Sequence, residues 1–418
     1  MNGRGGVWNA SSKKWPSARG RFPPLSQQPL QEVKYRPLSI RTTVGEVVIK
    51  AAYGRDPGTG QWLFPIRQQW GLGSRQTMSP TLQEKVCFTA TMTLSYERAA
   101  AVAGKWGTPI DDATIHRHVQ QAGQRAESLT RERVERALSP RTRGEVVRAA
   151  KENAPTGEFS LVLMLDGWMI RERGGEWGLK PPETKGDRVG WHEVKSAIVF
   201  RADQRAQTQS GRPLLLTKFY VSWRGDPEEL GRRLYAEALR RGLNQARRVY
   251  VVADGGVWIW NIAQDRFPEA VGVLDFYHAS EHLWAVAHKL FGEGSAEARA
   301  WVEPLLHQLN HGGEAGVLRQ LEDLLTLCAE WDEAKCKPVQ REVNYFQNHR
   351  EHLHYQRVRE AGCPNGSGAM ESTCSQFQNR FKRTGQFWNL PGENNLMALE
   401  LARRNEEWDE IWWLDSEQ

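Results

Sequence analysis

Arg248-Val249-Tyr250-Val251-Val252-Ala253-Asp254-Gly255-Gly256 is the stretch on which the fold turns. A continuous apolar run of this length, rich in Val, reads as a strand covered on both faces, since a half-exposed strand would alternate. The run stops at an acid followed by two glycines, so a carboxylate is delivered to the edge of a sheet. Upstream, Leu161-Val162-Leu163-Met164-Leu165 closes in the same way on Asp166-Gly167.

Between and around these runs the elements follow a definite order. Strand patterns cover residues 159–166, 194–201 and 215–223; residues 227–241 are helical, 248–253 a strand, 257–264 a helix and 271–275 a strand. The order β-β-β-α-β-α-β is that of an α/β fold of the RNase H-like type, three meandering strands followed by β/α units. In that arrangement the ends of the first and fourth strands are neighbours, which brings Asp166 and Asp254 together across 88 positions.

A third acid is marked by its surroundings. Glu371 opens a helical segment just after the breakers Pro364-Asn365-Gly366-Ser367-Gly368. Glu371, Ser375, Gln378 and Lys382 fall on one helical stripe, and Met370, Phe377 and Phe381 on an apolar one. Glu371 then faces the other acids, while Lys382, with Arg380 and Arg383 nearby, reaches towards phosphates. Residues 279–361 carry helical repeats of leucine, which predicts an α-helical insertion inside a catalytic domain of residues 155–278 and 362–418.

Three carboxylates from two strands and a helix suit phosphodiester chemistry with a hard divalent ion, Mg²⁺ or Mn²⁺, which takes oxygen ligands and keeps positions open for phosphate. Taken singly, each acid is equally well a helix cap or a turn-stabilising carboxylate. Asp275 and His278 follow the last strand and are expected close behind the acids or against DNA, as are Lys382 and Arg383. His278 and His282 are four apart, but Glu281 stands beside the second His, unlike the HExxH zinc-hydrolase pattern. Trp258, Trp260 and Trp388 read as packing residues or as platforms for a base.

The amino-terminal third has a different character. Residues 1–44 hold eight Lys or Arg against one acid, Glu32, a net +7 where the whole chain carries +6. With five Pro and few aliphatic residues, they predict a disordered basic arm, suited to DNA phosphates or simply to solubility. Residues 44–53 fit a strand. Ser95 caps a helix over 96–105, Gly107-Thr108-Pro109 breaks it, and Asp111 or Asp112 caps the next over 113–121. This is a helix-turn-helix pattern at about 95–122, inside a DNA-binding region of residues 45–150 that ends in a basic linker helix. Thr114, His116, Arg117, His118 and Gln120 would face a DNA groove, with Ile115, Val119 and Ala122 turned inwards.

Five cysteines without a CxxC pair predict reduced thiols and no disulfide framework, and no apolar run approaches a bilayer span. A soluble, intracellular protein is expected. Of the chain's 418 residues 39% are hydrophobic and 18 are Trp, which permits two or three packed domains.

In order, Leu165-Asp166-Gly167, Trp191-His192-Glu193-Val194-Lys195, Ala253-Asp254-Gly255-Gly256, the run Leu274-Asp275-Phe276-Tyr277-His278-Ala279-Ser280-Glu281-His282-Leu283, and Gly366-Ser367-Gly368-Ala369-Met370-Glu371-Ser372 resemble bacterial insertion-sequence transposases of the DDE class, most closely the ISKra-like group and next the ISLre-like elements. The resemblance covers residues 40–405. It implies an RNase H-like catalytic domain, an N-terminal DNA-binding region, and a triad on Asp166, Asp254 and Glu371 that holds two Mg²⁺ ions: Asp166 bridging both, Asp254 on one, Glu371 on the other. It implies cleavage of transposon ends in double-stranded DNA, transfer of the 3′-hydroxyl to target DNA, and a homodimer or higher oligomer that works on the bacterial nucleoid in the cytoplasm. Members commonly flank the segment like residues 45–53 with paired cysteines that bind zinc; Gly54-Arg55-Asp56-Pro57-Gly58 has none, so no structural zinc is expected. A catalytically inactive DNA-binding descendant and a metal-dependent nuclease that cuts without joining fit the same residues.

Overall fold

Regular structure begins earlier than the composition of the basic arm suggests. The structure, a computed structural model, describes residues 29–70, 72, 76–154, 157–180, 188–211, 213–328 and 330–412. β1 (Gln31–Thr42) pairs antiparallel with β2 (Gly45–Arg55), and β3 (Trp62–Leu63) adds to β2. Residues 31–42 were expected in the disordered arm; they are instead ordered by this pairing, with Leu38 and Ile40 buried and Lys34 and Arg36 laid over the rings of Trp62 and Tyr53. β1 is an edge strand, which tolerates Pro37. The rest of the arm lies outside the described residues.

Five helices follow: α1 (Pro65–Gln69), α2 (Pro80–Met92), α3 (Tyr96–Lys105), α4 (Asp112–Leu138) and α5 (Arg143–Glu152). Ser95 Oγ accepts the Arg98 N–H at 3.2 Å and Asp111 Oδ1 accepts that of Thr114 at 2.7 Å, so both expected caps start their helices. The second helix does not stop at residue 121. Nothing between Asp112 and Leu138 breaks it except Gly123, which a helix tolerates, and it runs 27 residues.

Then come β4 (Ser160–Arg173), β5 (Val189–Arg201), the small hairpin β6 (Arg205–Gln207) and β7 (Pro213–Leu215), β8 (Phe219–Trp223), α6 (Pro227–Arg240), β9 (Arg248–Ala253), α7 (Val257–Arg266) and β10 (Val271–Leu274). The helices α8 (Phe276–Phe291), α9 (Ala296–His311), α10 (Glu314–Cys328), α11 (Glu333–Asn348) and α12 (Tyr355–Glu360) precede α13 (Gly368–Phe381), α14 (Leu390–Arg404) and α15 (Trp408–Trp412). The chain divides into two compact units. One holds the described residues before Arg131 together with those from Asn389 on; the other is Arg131–Trp388.

The second unit is built on one mixed sheet of order β10-β9-β4-β5-β8, in which β4, β5 and β8 are antiparallel while β4, β9 and β10 are parallel. Leu161, Leu163, Leu165, Val251 and Ala253 point to the face covered by α6 and α7, against Leu230, Leu234, Ala238, Ile259 and Ile262. Opposite them, Val162, Met164 and Trp168 face α13, where Trp168 lies 6.1 Å from Phe377 between ring centroids. Covering on both sides is why both strands read as unbroken apolar runs.

In the first unit, α14 packs on α2 and α4. Residues 389–412 belong to this unit, not to the catalytic domain in which the sequence reading set residues 362–418. Asn395 Nδ2 donates to Gln120 Oε1 at 2.7 Å, and Gly123 lets the helices touch: a Cβ there would sit 2.2 Å from the Asn395 carbonyl oxygen. Gly123→Ala gains helix propensity yet meets backbone that cannot move aside. A net loss of about 1–3 kcal/mol is expected, read as a lower urea midpoint with an unchanged slope.

Candidate active site

Strand register sets the first two acids side by side. Leu165 of β4 pairs with Ala253 of β9, the last rung of their parallel ladder. Asp166 and Asp254 are each the next residue, on strands about 4.8 Å apart. They stand at the carboxyl end of parallel strands, where open α/β sheets form their ligand crevices. β4 itself continues to Arg173, seven residues past the strand end expected at Asp166, so Gly167 is a strand residue.

Glu371 comes from α13, whose buried face of Met370, Cys374, Phe377 and Phe381 packs on the sheet while Glu371, Ser375 and Lys382 stay exposed. Ser367 Oγ donates to Glu371 Oε1 at 3.2 Å. One turn later, the Cys374 thiol hydrogen-bonds to Asp166. Burial pushes the Asp166 carboxyl up to about 6; the Gly167 N–H, 2.6 Å away, and the Cys374 thiol oppose this, while the charges of Asp254 and Glu371 add to it. Burial, then the Asp166 and Glu371 charges, also push the Cys374 thiol well up. The three acids therefore share one electrostatic environment.

Among the described residues, no three His, Cys, Asp or Glu side chains converge tightly enough to cage an ion. The donor set still fits Mg²⁺, which is held by one or two carboxylates and completed by water and phosphate oxygens. Asp166, ionising against burial and two like charges, is the group such a cation would relieve.

Asp275 is fully buried, its carboxylate enclosed by backbone donors. Its Oδ1 accepts the N–H groups of Tyr277 (2.6 Å) and His278 (3.1 Å), its Oδ2 accepts that of Ser367, and its own N–H donates to the Ala253 carbonyl at 2.7 Å. His278 pairs with Glu281 at 3.5 Å, and His282 Nδ1 lies 2.5 Å from Glu342 Oε2, so the two histidines do not face one site. Lys382 Nζ lies 5.3 Å from the centre of the Trp191 ring, and the Arg383 carbonyl accepts from Arg171. Trp388 is buried and donates to the Phe381 carbonyl at 2.7 Å; Trp260 stacks on His352 at 3.8 Å; Trp258 packs on the core.

Residues that sequence reading passed over line the other side of Asp254. Tyr345 of α11 stacks on His282 at 3.6 Å and takes the Gly255 N–H, its phenol pushed upwards by burial and by the Asp254 and Asp275 charges. His349 lies 4.6 Å from Tyr345, its imidazole pushed down by burial and by His282. A signal was present: Glu342, Tyr345, His349 and His352 recur at helical spacing.

In the first unit, His116 and Arg117 are exposed at the start of α4, with His116 edge-on to Tyr96 at 5.2 Å and Arg117 3.4 Å from the Thr114 hydroxyl. His118 is 7% exposed and its imidazole is pushed down to about 4, first by burial and then by Arg117 and Arg125. Gln120 is engaged by Asn395 and Gly392. These last two do not face a groove, because the inner side of α4 is wider than the stripe Ile115, Val119 and Ala122 that the sequence marked.

Residues 235–416 match the model of an uncharacterised protein family, UPF0236; the matched part includes Asp254 and Glu371. The chain is 24% identical over 370 residues to a Streptococcus gallolyticus protein described as "UPF0236 protein in vanSb 3'region", covering 86% of this chain and 71% of that one. Among solved structures, the Drosophila P element transposase strand transfer complex aligns with 11% identity over 80% of this chain and 83% of that one, at a TM-score of 0.23. Among the described residues, no helix is long and apolar enough to cross a membrane.

Asp166 makes stability depend on pH. Its carboxyl is pushed up to about 6 by burial when folded, above the 3.8 of a free aspartate, so its neutral form favours folding. That contribution is complete below about pH 4 and is lost as pH rises through 6. Asp166→Asn, neutral at every pH, is therefore expected to raise stability of the metal-free protein by about 1–3 kcal/mol at pH 8 and hardly at all at pH 4. Thermal denaturation in chelator at both values reads this directly; equal shifts would mean the acid is not under strain.

Proposed function

We propose that this chain is a DDE-type DNA transposase whose Arg131–Trp388 unit is an RNase H-like catalytic domain. The observation that carries the proposal is the register of β4 and β9, which sets Asp166 and Asp254 side by side just past the last rung of their parallel ladder, with Glu371 near enough to add its charge to the burial that raises the Asp166 carboxyl. The strand order β10-β9-β4-β5-β8, antiparallel then parallel, supports the fold reading.

Asp166, Asp254 and Glu371 would hold two Mg²⁺ or Mn²⁺ ions. When bound, these activate water and then a 3′-hydroxyl and offset the charge that builds up on phosphate. The residues of the chain do the rest. Gly167 and Gly256 N–H groups orient the two aspartates, Ser367 orients Glu371, and Tyr345 braces the Gly255 turn against which Asp254 stands. Lys382 supplies a cation at the exposed end of α13 for backbone phosphate. The α3–α4 pair would serve as a helix-turn-helix that presents His116 and Arg117 to duplex DNA. Two transposon ends must be handled together, so a homodimer or higher oligomer on DNA is part of the proposal.

Asp254→Asn tests it. The variant is expected to bind DNA as the unaltered chain does and to lose Mg²⁺- or Mn²⁺-dependent cleavage and strand transfer. Activity that survives the substitution would take Asp254 out of the chemistry. Cleavage without joining in the unaltered chain would make it a nuclease, and DNA binding with neither would make it a non-catalytic binder.

A further inference from the structure

Beyond Asp166, β4 and β5 run on as a two-stranded extension with two unlike sides. Trp168, Ile170 and Glu172 are buried, Trp168 against α13 and Glu172 in a pair with Arg224. On the other side Met169 and Arg173 are exposed, while Arg171 is half-buried and donates to the Arg383 carbonyl. In register, Arg171 faces Trp191, and the segment ending at Trp388 runs along the free edge of β4, which brings Phe387 to the opposite flank of Arg171.

The result is a row in which rings and cations alternate. Lys382 lies 5.3 Å from the Trp191 ring centre, Arg171 lies 5.7 Å from Trp191 and 4.9 Å from Phe387, Phe387 lies 4.8 Å from Trp177, and Arg173 lies 5.2 Å from Trp177. Trp191 is 53% exposed and Trp177 41%. Such exposure of two Trp side chains is costly in water unless something covers them. Glu193, two positions beyond Trp191 on the same side of β5, is paired with Lys195 at 2.9 Å.

We infer that this row is a binding platform for unpaired bases of a nucleic-acid strand, the rings stacking on bases and Arg171, Arg173 and Lys382 meeting the flanking phosphates. Aromatic surfaces interleaved with cations are what single-stranded nucleic acid requires, and they tolerate any base. Arg171 lies five residues beyond Asp166 along one strand, about 16 Å, and the odd spacing sets the platform on the opposite side of β4 from the Asp166 carboxyl, so a strand held there would cross the free edge of β4 to present a phosphodiester to the acids. The inference rests on the DNA-processing reading and adds to it a preference for a frayed or single-stranded end.

Affinity for a blunt duplex and for the same duplex with a short unpaired 3′ extension, measured by fluorescence anisotropy in chelator, tests the platform apart from catalysis. The unaltered chain is expected to prefer the extended duplex, and Trp191→Ala to cut that preference by about 5- to 100-fold. Trp191→Phe, which keeps a stacking face, is expected to retain most of it, which separates stacking from loss of fold. No preference in the unaltered chain, or a preference unchanged by Trp191→Ala, overturns the platform and leaves the DNA reading standing. Failure to bind either DNA overturns both.

Discussion

The buried carboxylate of Asp275 is the interaction on which the site depends. A charge with no exposure is tolerated only when donors surround it. Here three backbone N–H groups do so, two opening α8 and one from Ser367, while the Asp275 backbone itself is tied to Ala253. Charge-assisted bonds of this kind are stronger than neutral ones. Ala253 directly precedes Asp254, and Ser367 holds Glu371. One side chain therefore closes the 117-residue gap between two acids and makes five helices an excursion that returns to the sheet.

The acids do not stand there without cost. Asp166 follows five residues of β4 that pack on both faces, and its raised affinity for a proton measures what ionisation costs. Buried polar groups bind the strands together around it. Beneath Asp166, its register partner Ser196 accepts from Trp168 Nε1 at 3.0 Å and meets the Ser222 hydroxyl at 2.7 Å. These bonds tie β4, β5 and β8 together at the level of the acid. A strained group is thus carried on the stiffest part of the sheet.

What was legible in the sequence follows from how many neighbours a residue needs. The apolar runs before Asp166 and Asp254 declare themselves, because burial on both faces leaves no polar position, and Ser95 and Asp111 declare helix starts through bonds within four residues. β1 was hidden because its basic and proline-bearing sequence is stabilised by β2, and nothing local signals a partner. His118 and Gln120 were set on the wrong side of α4 because the face against Asn395 exists only once the chain's end has folded back within the first unit. Tyr345 and His349 sit 91 and 95 positions after Asp254, on and just past a helix whose spacing marks a polar stripe but not what that stripe docks against.

The two Asp-Gly pairs show the same limit in reverse. Both glycines mark where the apolar runs stop, yet neither has positive φ. A Cβ at Gly167 would fall 2.2 Å from Glu193 Oε1, and one at Gly255 would fall 2.5 Å from the Tyr345 hydroxyl. The Glu193 carboxylate could swing aside from Gly167, but the Tyr345 ring beside Gly255 leaves no room for a side chain. At Gly255 that neighbour is also the residue that takes the backbone N–H, so the missing Cβ and the hydrogen bond come from a single close approach. The punctuation that first marked these acids in the sequence is thus a trace of how tightly the site is walled.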